Sequence, residues 1–192
     1  MKSSIWRARF LAMGLVILLL APFAGKAFHI DDPLFLFTAE QIRQHPADFY
    51  GFEVNWYGVT MPMSQITKNP PLAAYFIALV QSCCGAGEFA LHLAFMLPAM
   101  LFAAGIFELA RRFCRRPLLA VALAMLSPAV LVSATSIMCD TFMAALWIWA
   151  VIFWLRGIEQ NHGSSLVAGA GLAGLAALTK YFGICLVPLL AV

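Results

Sequence analysis

Charged residues are scarce in this sequence. Asp, Glu, Lys and Arg make up 11% of its 192 residues, against roughly a quarter in a soluble domain that must cover its surface. Apolar residues replace them, at 63% of the chain and a mean hydropathy of +0.89. Without a bilayer most of those groups would face water, which excludes soluble enzymes, disordered regulators and nucleic-acid binders. Cysteine patterning is lacking too. Of the five cysteines, Cys83 and Cys84 are adjacent, Cys114 lies among arginines, and Cys139 and Cys185 sit in or beside apolar runs. No C-x-x-C pair offers a zinc or redox site, and the five read as small apolar residues. The histidines (His29, His45, His92, His162) show no metal-ligand spacing, and His92, inside an apolar run, reads as an interhelical hydrogen-bonding group. No repeat or low-complexity tract is visible. A net charge of +3 is too small to imply a polyanionic partner.

What is present is a series of apolar runs. About 30 Å of hydrocarbon takes around 20 helical residues, with roughly 17 as a floor. Five spans are predicted, at 8–25, 89–110, 118–135, 141–156 and 165–192, giving an all-α polytopic transmembrane helical bundle. The first follows Lys2, Arg7 and Arg9, and Ala-Gly-Lys-Ala at 24–27 is a poor cleavage site, so it reads as a retained signal anchor. Residues 26–88 form an extracytoplasmic loop carrying juxtamembrane helices. Within it 71–84 is apolar but too short to cross, and reads as an interfacial helix.

The basic residues test that assignment, because orientation must alternate at each crossing. With 71–84 lying flat, the inside holds Lys2, Arg7, Arg9, Arg111, Arg112, Arg115, Arg116 and Arg156, and the N-terminus is cytoplasmic. If 71–84 crossed, the four arginines at 111–116 would lie outside. Pro98 and Pro128 are expected to kink their helices. The string from Gly169 to Gly174 matches G-x-G-x-x-G, but no strand precedes it and no acid follows at the right distance, so it reads as small-residue helix packing. Trp147, Trp149 and Trp154 read as lipid-facing or interhelical filling.

The acids are not spread evenly. Six of the nine, Asp31, Asp32, Glu40, Asp48, Glu53 and Glu88, fall between residues 31 and 88. Glu40, Asp48 and Glu53 read as a solvated loop. Asp31 and Asp32 directly follow the first span, where two adjacent carboxylates repel and lose hydration unless a cation, a metal or an acceptor hydroxyl partners them. Asp140 opens the fourth span on the same face, either as a helix cap accepting from Phe142 or Met143 or as part of a site. Carboxylates converging there suit general-base or metal-assisted chemistry on a substrate arriving from the membrane, with Asp31 and Asp140 as candidate ligands of a divalent cation. Lys68 and Asn69, before Pro70 and Pro71, add a cation and an amide on that face. Lys180 interrupts the last run. In a continuous helix it lies near mid-membrane at a cost of about 2.5–3.5 kcal/mol; if the chain turns between Thr179 and Gly183, it sits at an interface.

The order of these pieces is a first span, an acidic pair, Asn69-Pro70-Pro71-Leu72, Gly87-Glu88, an Asp opening a later span, and Gly-Leu-Ala-Ala-Leu-Thr-Lys-Tyr at 174–181. It resembles the N-terminal half of the protein O-mannosyltransferase and aminoarabinose transferase families (glycosyltransferase family 39-like) of the glycosyltransferase C superfamily, over roughly residues 5–190. Those families carry Asp-Glu where this chain has Asp31-Asp32, and often His or Lys in place of Asn69. The resemblance implies inverting transfer of a sugar from a polyprenyl-phosphate carrier to an extracytoplasmic protein, glycan or lipid acceptor. On it Asp31 is the general base, Asp32 and Asp140 position the acceptor or hold a divalent metal ion, and Lys68, Asn69 and Lys180 face the lipid phosphate. It also implies a bacterial inner-membrane location. The chain stops within an apolar run at 188–192, as the front part of a longer enzyme would, and by itself such a part is expected to be inactive. A transporter or lipid flippase is the alternative from another class, but it would place charges at mid-depth and show an inverted repeat; a non-catalytic scaffold leaves the boundary acids without a reason.

Overall fold

A computed structural model describes the backbone of residues 2–190 and the side chains of residues 5–190. Ala191 and Val192, which end the fifth predicted span, and the side chain of Lys2 lie outside the described residues. Ten α-helices, two 3₁₀ turns and one two-stranded hairpin make up the regular structure among those residues.

Helix α1 (Lys2–Leu20) runs unbroken through apolar residues and closes in a 3₁₀ turn, Ala21–Phe23, where Pro22 cannot continue the backbone ladder. After a connecting stretch come α2 (Asp32–Gln44), the hairpin β1 (Glu53–Asn55) and β2 (Thr60–Pro62), the short α3 (Met63–Ile66) and α4 (Leu72–Cys84). The segment 26–88 is therefore largely ordered. Pro33 starts α2, and its apolar residues at helical spacing, Leu34, Phe35, Ala39 and Ile42, are buried while Glu40 and Arg43 pair outside it at 2.8 Å. That face packs on Ala73, Ala74, Ile77 and Ala78 of α4. At 1.5 Å per residue the 13 residues of α4 rise only about 20 Å, short of a bilayer core.

Helix α5 (Glu88–Phe113) is 26 residues long and rises about 39 Å. Its Met96, Ala99, Ala103 and Phe107 form one core with Ala12, Val16 and Leu20 of α1 and with Val121 and Met125 of α6 (Pro117–Met125). Helix α7 (Pro128–Ala134) leaves α6 at 69°, so Pro128 marks a break, and the Ser127 hydroxyl accepts from the Val130 N–H to cap the new helix. Helix α8 (Cys139–Glu159) packs against α5 and against α9 (Gly163–Thr179). Gly169 lets the α9 backbone approach α8 so closely that a Cβ would stand 3.0 Å from the Trp154 nitrogen, the small-residue packing of membrane helices. Gly171 and Gly174 face open space.

The last apolar run is not one helix. It ends at Thr179, passes through an extended Lys180 and a 3₁₀ turn at Tyr181–Cys185, and resumes as α10 (Leu186–Leu190). Gly183 lies against α9, where an added Cβ would meet the carbonyl carbon of Ala176 at 2.4 Å. Of the two placements open for Lys180 the structure has the turn. By length and composition three helices can cross a membrane, α1 with its 3₁₀ turn, α5 and α8; with the bent α6 and α7 counted together, up to four can.

Candidate functional site

Asp31, Asp32, Asp140 and Lys180 gather where α2 begins, α8 begins and α9 ends. The stretch before α2 is built around Asp32, which is fully buried. Its Oδ2 lies 3.1 Å from the His29 backbone N–H, which donates to it, and 3.1 Å from the His29 ring Nδ1. Its Oδ1 accepts from the Ile137 N–H at 3.1 Å, 105 residues away in sequence. The Lys26 ammonium also donates to the Thr135 carbonyl at 3.4 Å. Asp32 is thus the brace that holds the α2 entry against the α8 entry.

Asp31 is the cap residue of α2, half-buried, and its side chain makes no capping bond. Ile30 before it has φ +54°, a left-handed conformation that strongly disfavours a β-branched side chain. Asp140 stands in the first turn of α8, but α8 has no side-chain cap; its Oδ1 instead accepts from the Lys180 ammonium at 2.6 Å. Both side chains are about one-third exposed, at 31% and 33%. Burial by itself would lower the lysine's pKa, but the hydrogen bond and charge of Asp140, with Asp31 adding to the field, raise it overall. Lys180 therefore stays an ammonium across the physiological range.

Tyr50 belongs to this region and had no signal in the sequence beyond its residue type. Burial pushes its phenol above the usual pKa, the Thr67 hydroxyl opposes that, and Tyr181 and Cys139 lie within electrostatic reach. The phenol donates to the Asn69 carbonyl and so pins the Asn-Pro-Pro entry to α4. Asn69 thus takes part through its backbone here. Lys68 is exposed and makes no ion pair among the described residues. His92 bonds within its own helix, its Nδ1 lying 2.8 Å from the Glu88 carbonyl, and stacks on Phe28.

A bound divalent cation needs several hard oxygen donors. Among the described residues no group of three or more His, Cys, Asp or Glu side chains is placed to hold one. Of the two candidate ligands, Asp140 is engaged by Lys180 and Asp31 is the one with an open carboxylate, while the neighbouring Asp32 is taken up by hydrogen bonds to His29 and Ile137.

At the opposite end of the bundle the charges are basic. Arg9 and Arg111 both pair with Glu108, at 2.7 and 2.9 Å, and Arg112 pairs with Glu159. The fold and these two unlike ends define an integral membrane protein, all-α and polytopic, with a polar site at the acidic end. Within that class, residues 68–192 match the family model described as dolichyl-phosphate-mannose-protein mannosyltransferase, and the chain belongs to that family of membrane glycosyltransferases. No curated protein and no solved structure matches the chain. The matched stretch takes in Lys68, Asn69, Asp140 and Lys180, while Asp31 and Asp32 lie ahead of it.

Proposed function

We propose that this protein transfers a sugar, with inversion, from a polyprenyl-phosphate carrier to the hydroxyl of an extracytoplasmic protein, glycan or lipid acceptor, with Asp31 as general base. The observation that carries this is the difference among three carboxylates. Asp32 is occupied by His29 and Ile137 and Asp140 by Lys180, whereas the Asp31 side chain has no hydrogen-bond or ion-pair partner among the described residues. A base must be open to the acceptor proton, and of the three Asp31 is the one with neither carboxylate oxygen engaged among the described residues. The left-handed Ile30 supports the reading, since strain of about 1–3 kcal/mol persists where the surroundings over-determine it, as the Asp32 brace does.

In the step itself the acceptor O–H proton passes to Asp31 as its oxygen bonds to the anomeric carbon. The bond from that carbon to the carrier phosphate breaks, and its electron pair leaves with the phosphate. Lys180, held as a cation by Asp140, faces the charge developing there, with Lys68 and Asn69 supporting the lipid phosphate. On this reading the basic end is cytoplasmic and the membrane is a bacterial plasma membrane. The test is transfer of labelled sugar from its polyprenyl phosphate by the purified whole protein in nanodiscs. Asp31→Asn is expected to lower turnover about 10²- to 10⁴-fold with an unchanged melting temperature. Turnover equal to the wild type would remove Asp31 as base, and a product with retained anomeric configuration would remove the single displacement.

A further inference from the structure

The basic end carries a feature that sugar transfer does not use. Between the last turns of α5 and α8 lies a polar cavity of about 230 Å³ lined by Glu108, Arg111, Arg112, Ile152, Arg156 and Gln160. At about 30 Å³ per water it has room for a phosphate group with part of its hydration. The lining arginines outnumber the one glutamate by two charges, and Arg9 and Glu159, which pair into it, cancel each other. The two helix C-termini bring about half a negative charge each, so roughly one positive charge remains uncompensated. Arg156 holds it. Its guanidinium lies over the Phe153 ring at 5.6 Å and joins no ion pair among the described residues, leaving its planar donor fork open.

An apolar groove of about 210 Å³ runs along the same seam toward the middle of the bundle, lined by Leu101, Trp149 and Phe153 among others. Trp149, Phe153 and Arg156 follow one another at i, i+4 and i+7 on one face of α8, and Leu101, Glu108 and Arg112 at i, i+7 and i+11 on one face of α5. Groove and cavity therefore share one side of the seam. Trp6 is exposed with Arg9 over its ring at 4.9 Å, the arrangement of an aromatic at headgroup depth.

We infer that the α5–α8 seam binds an anionic phospholipid, its phosphodiester on the Arg156 fork with Arg111 and Arg112 beside it, and an acyl chain along Leu101, Trp149 and Phe153. The shared chemistry is a phosphate anion; the adjoining apolar groove favours a lipid over free phosphate. Arg156 stands sixteen residues along α8 from Asp140, a rise of about 24 Å, so the phosphate end of this seam is remote from the acidic site and the inference does not depend on the transfer mechanism.

Native mass spectrometry of the whole protein, delipidated and titrated with phosphatidylglycerol or phosphatidylcholine, tests it. The wild type is expected to retain phosphatidylglycerol preferentially. Arg156→Gln should weaken that retention about tenfold or more, and Arg156→Lys, which keeps the charge without the fork, should fall between. Equal retention of the two lipids, full preference in Arg156→Gln, or displacement of phosphatidylglycerol by equimolar inorganic phosphate would each overturn the assignment, the last by showing a free-phosphate site.

Discussion

Asp31 and Asp32 are the same residue type at adjacent positions, and their surroundings give them opposite properties. The Asp32 carboxylate is buried among donors from His29 and Ile137, while the Asp31 carboxylate is half-buried and unpaired among the described residues. Asp32→Ala leaves those donors unsatisfied in a buried place, at a cost of about 1–3 kcal/mol for each group. It should lower both the melting temperature and the transfer rate, whereas Asp31→Asn should lower the rate alone. Thermal unfolding and turnover measured on the same nanodisc samples separate the two roles, and a normal melting temperature for Asp32→Ala would show that the brace carries no stability.

At the scale of the elements, the break after α9 decides what Lys180 can do. Lys180 reaches Asp140 because the chain leaves the helix at Thr179 and turns through Gly183 against Ala176. Gly183→Ala places a Cβ 2.4 Å from a backbone carbon, which cannot move aside as a side chain would. The turn must open, and both the melting temperature and transfer should fall. Gly171→Ala is the matched control. Its Cβ meets nothing within 4 Å in the interior of α9, so it should be neutral or stabilise by up to about 1 kcal/mol through helix propensity. If the two variants melt together above the wild type, the close approach at Gly183 does not constrain the turn. Much of this scale was legible beforehand: the apolar runs located α5 and α8, and Pro128 marked a disturbance. The size of the α6–α7 bend was not legible, because a proline removes one backbone donor while the neighbouring helices set the angle.

Over the whole molecule the two ends are chemically unlike, and the proposed orientation puts the arginine end in the cytoplasm. Exposed cysteines report on both. Cys83 and Cys84 close α4 on the acidic side, and Cys114 follows α5 on the basic side. A membrane-impermeant maleimide applied to intact spheroplasts should label single-cysteine variants at 83 or 84 at once, and the Cys114 variant only after permeabilisation. The reverse pattern would invert the topology and with it the side on which Asp31 meets its acceptor.

Composition and run length were enough, without coordinates, to specify an all-α membrane protein, because apolar area and helical rise per residue are properties of the chain itself. The gathering of acids at one end and arginines at the other was likewise readable from order along the chain. Which acid is free, which lysine it meets and which tyrosine stands beside them were decided only in three dimensions. The availability of a carboxylate depends on the donors that approach it. For Asp32 one donor is the amide of Ile137, 105 residues away, and for Asp140 it is Lys180, 40 residues on. No local pattern encodes such meetings; the packing of α2, α8 and α9 creates them, and of the three site aspartates leaves Asp31 as the carboxylate without a partner among the described residues.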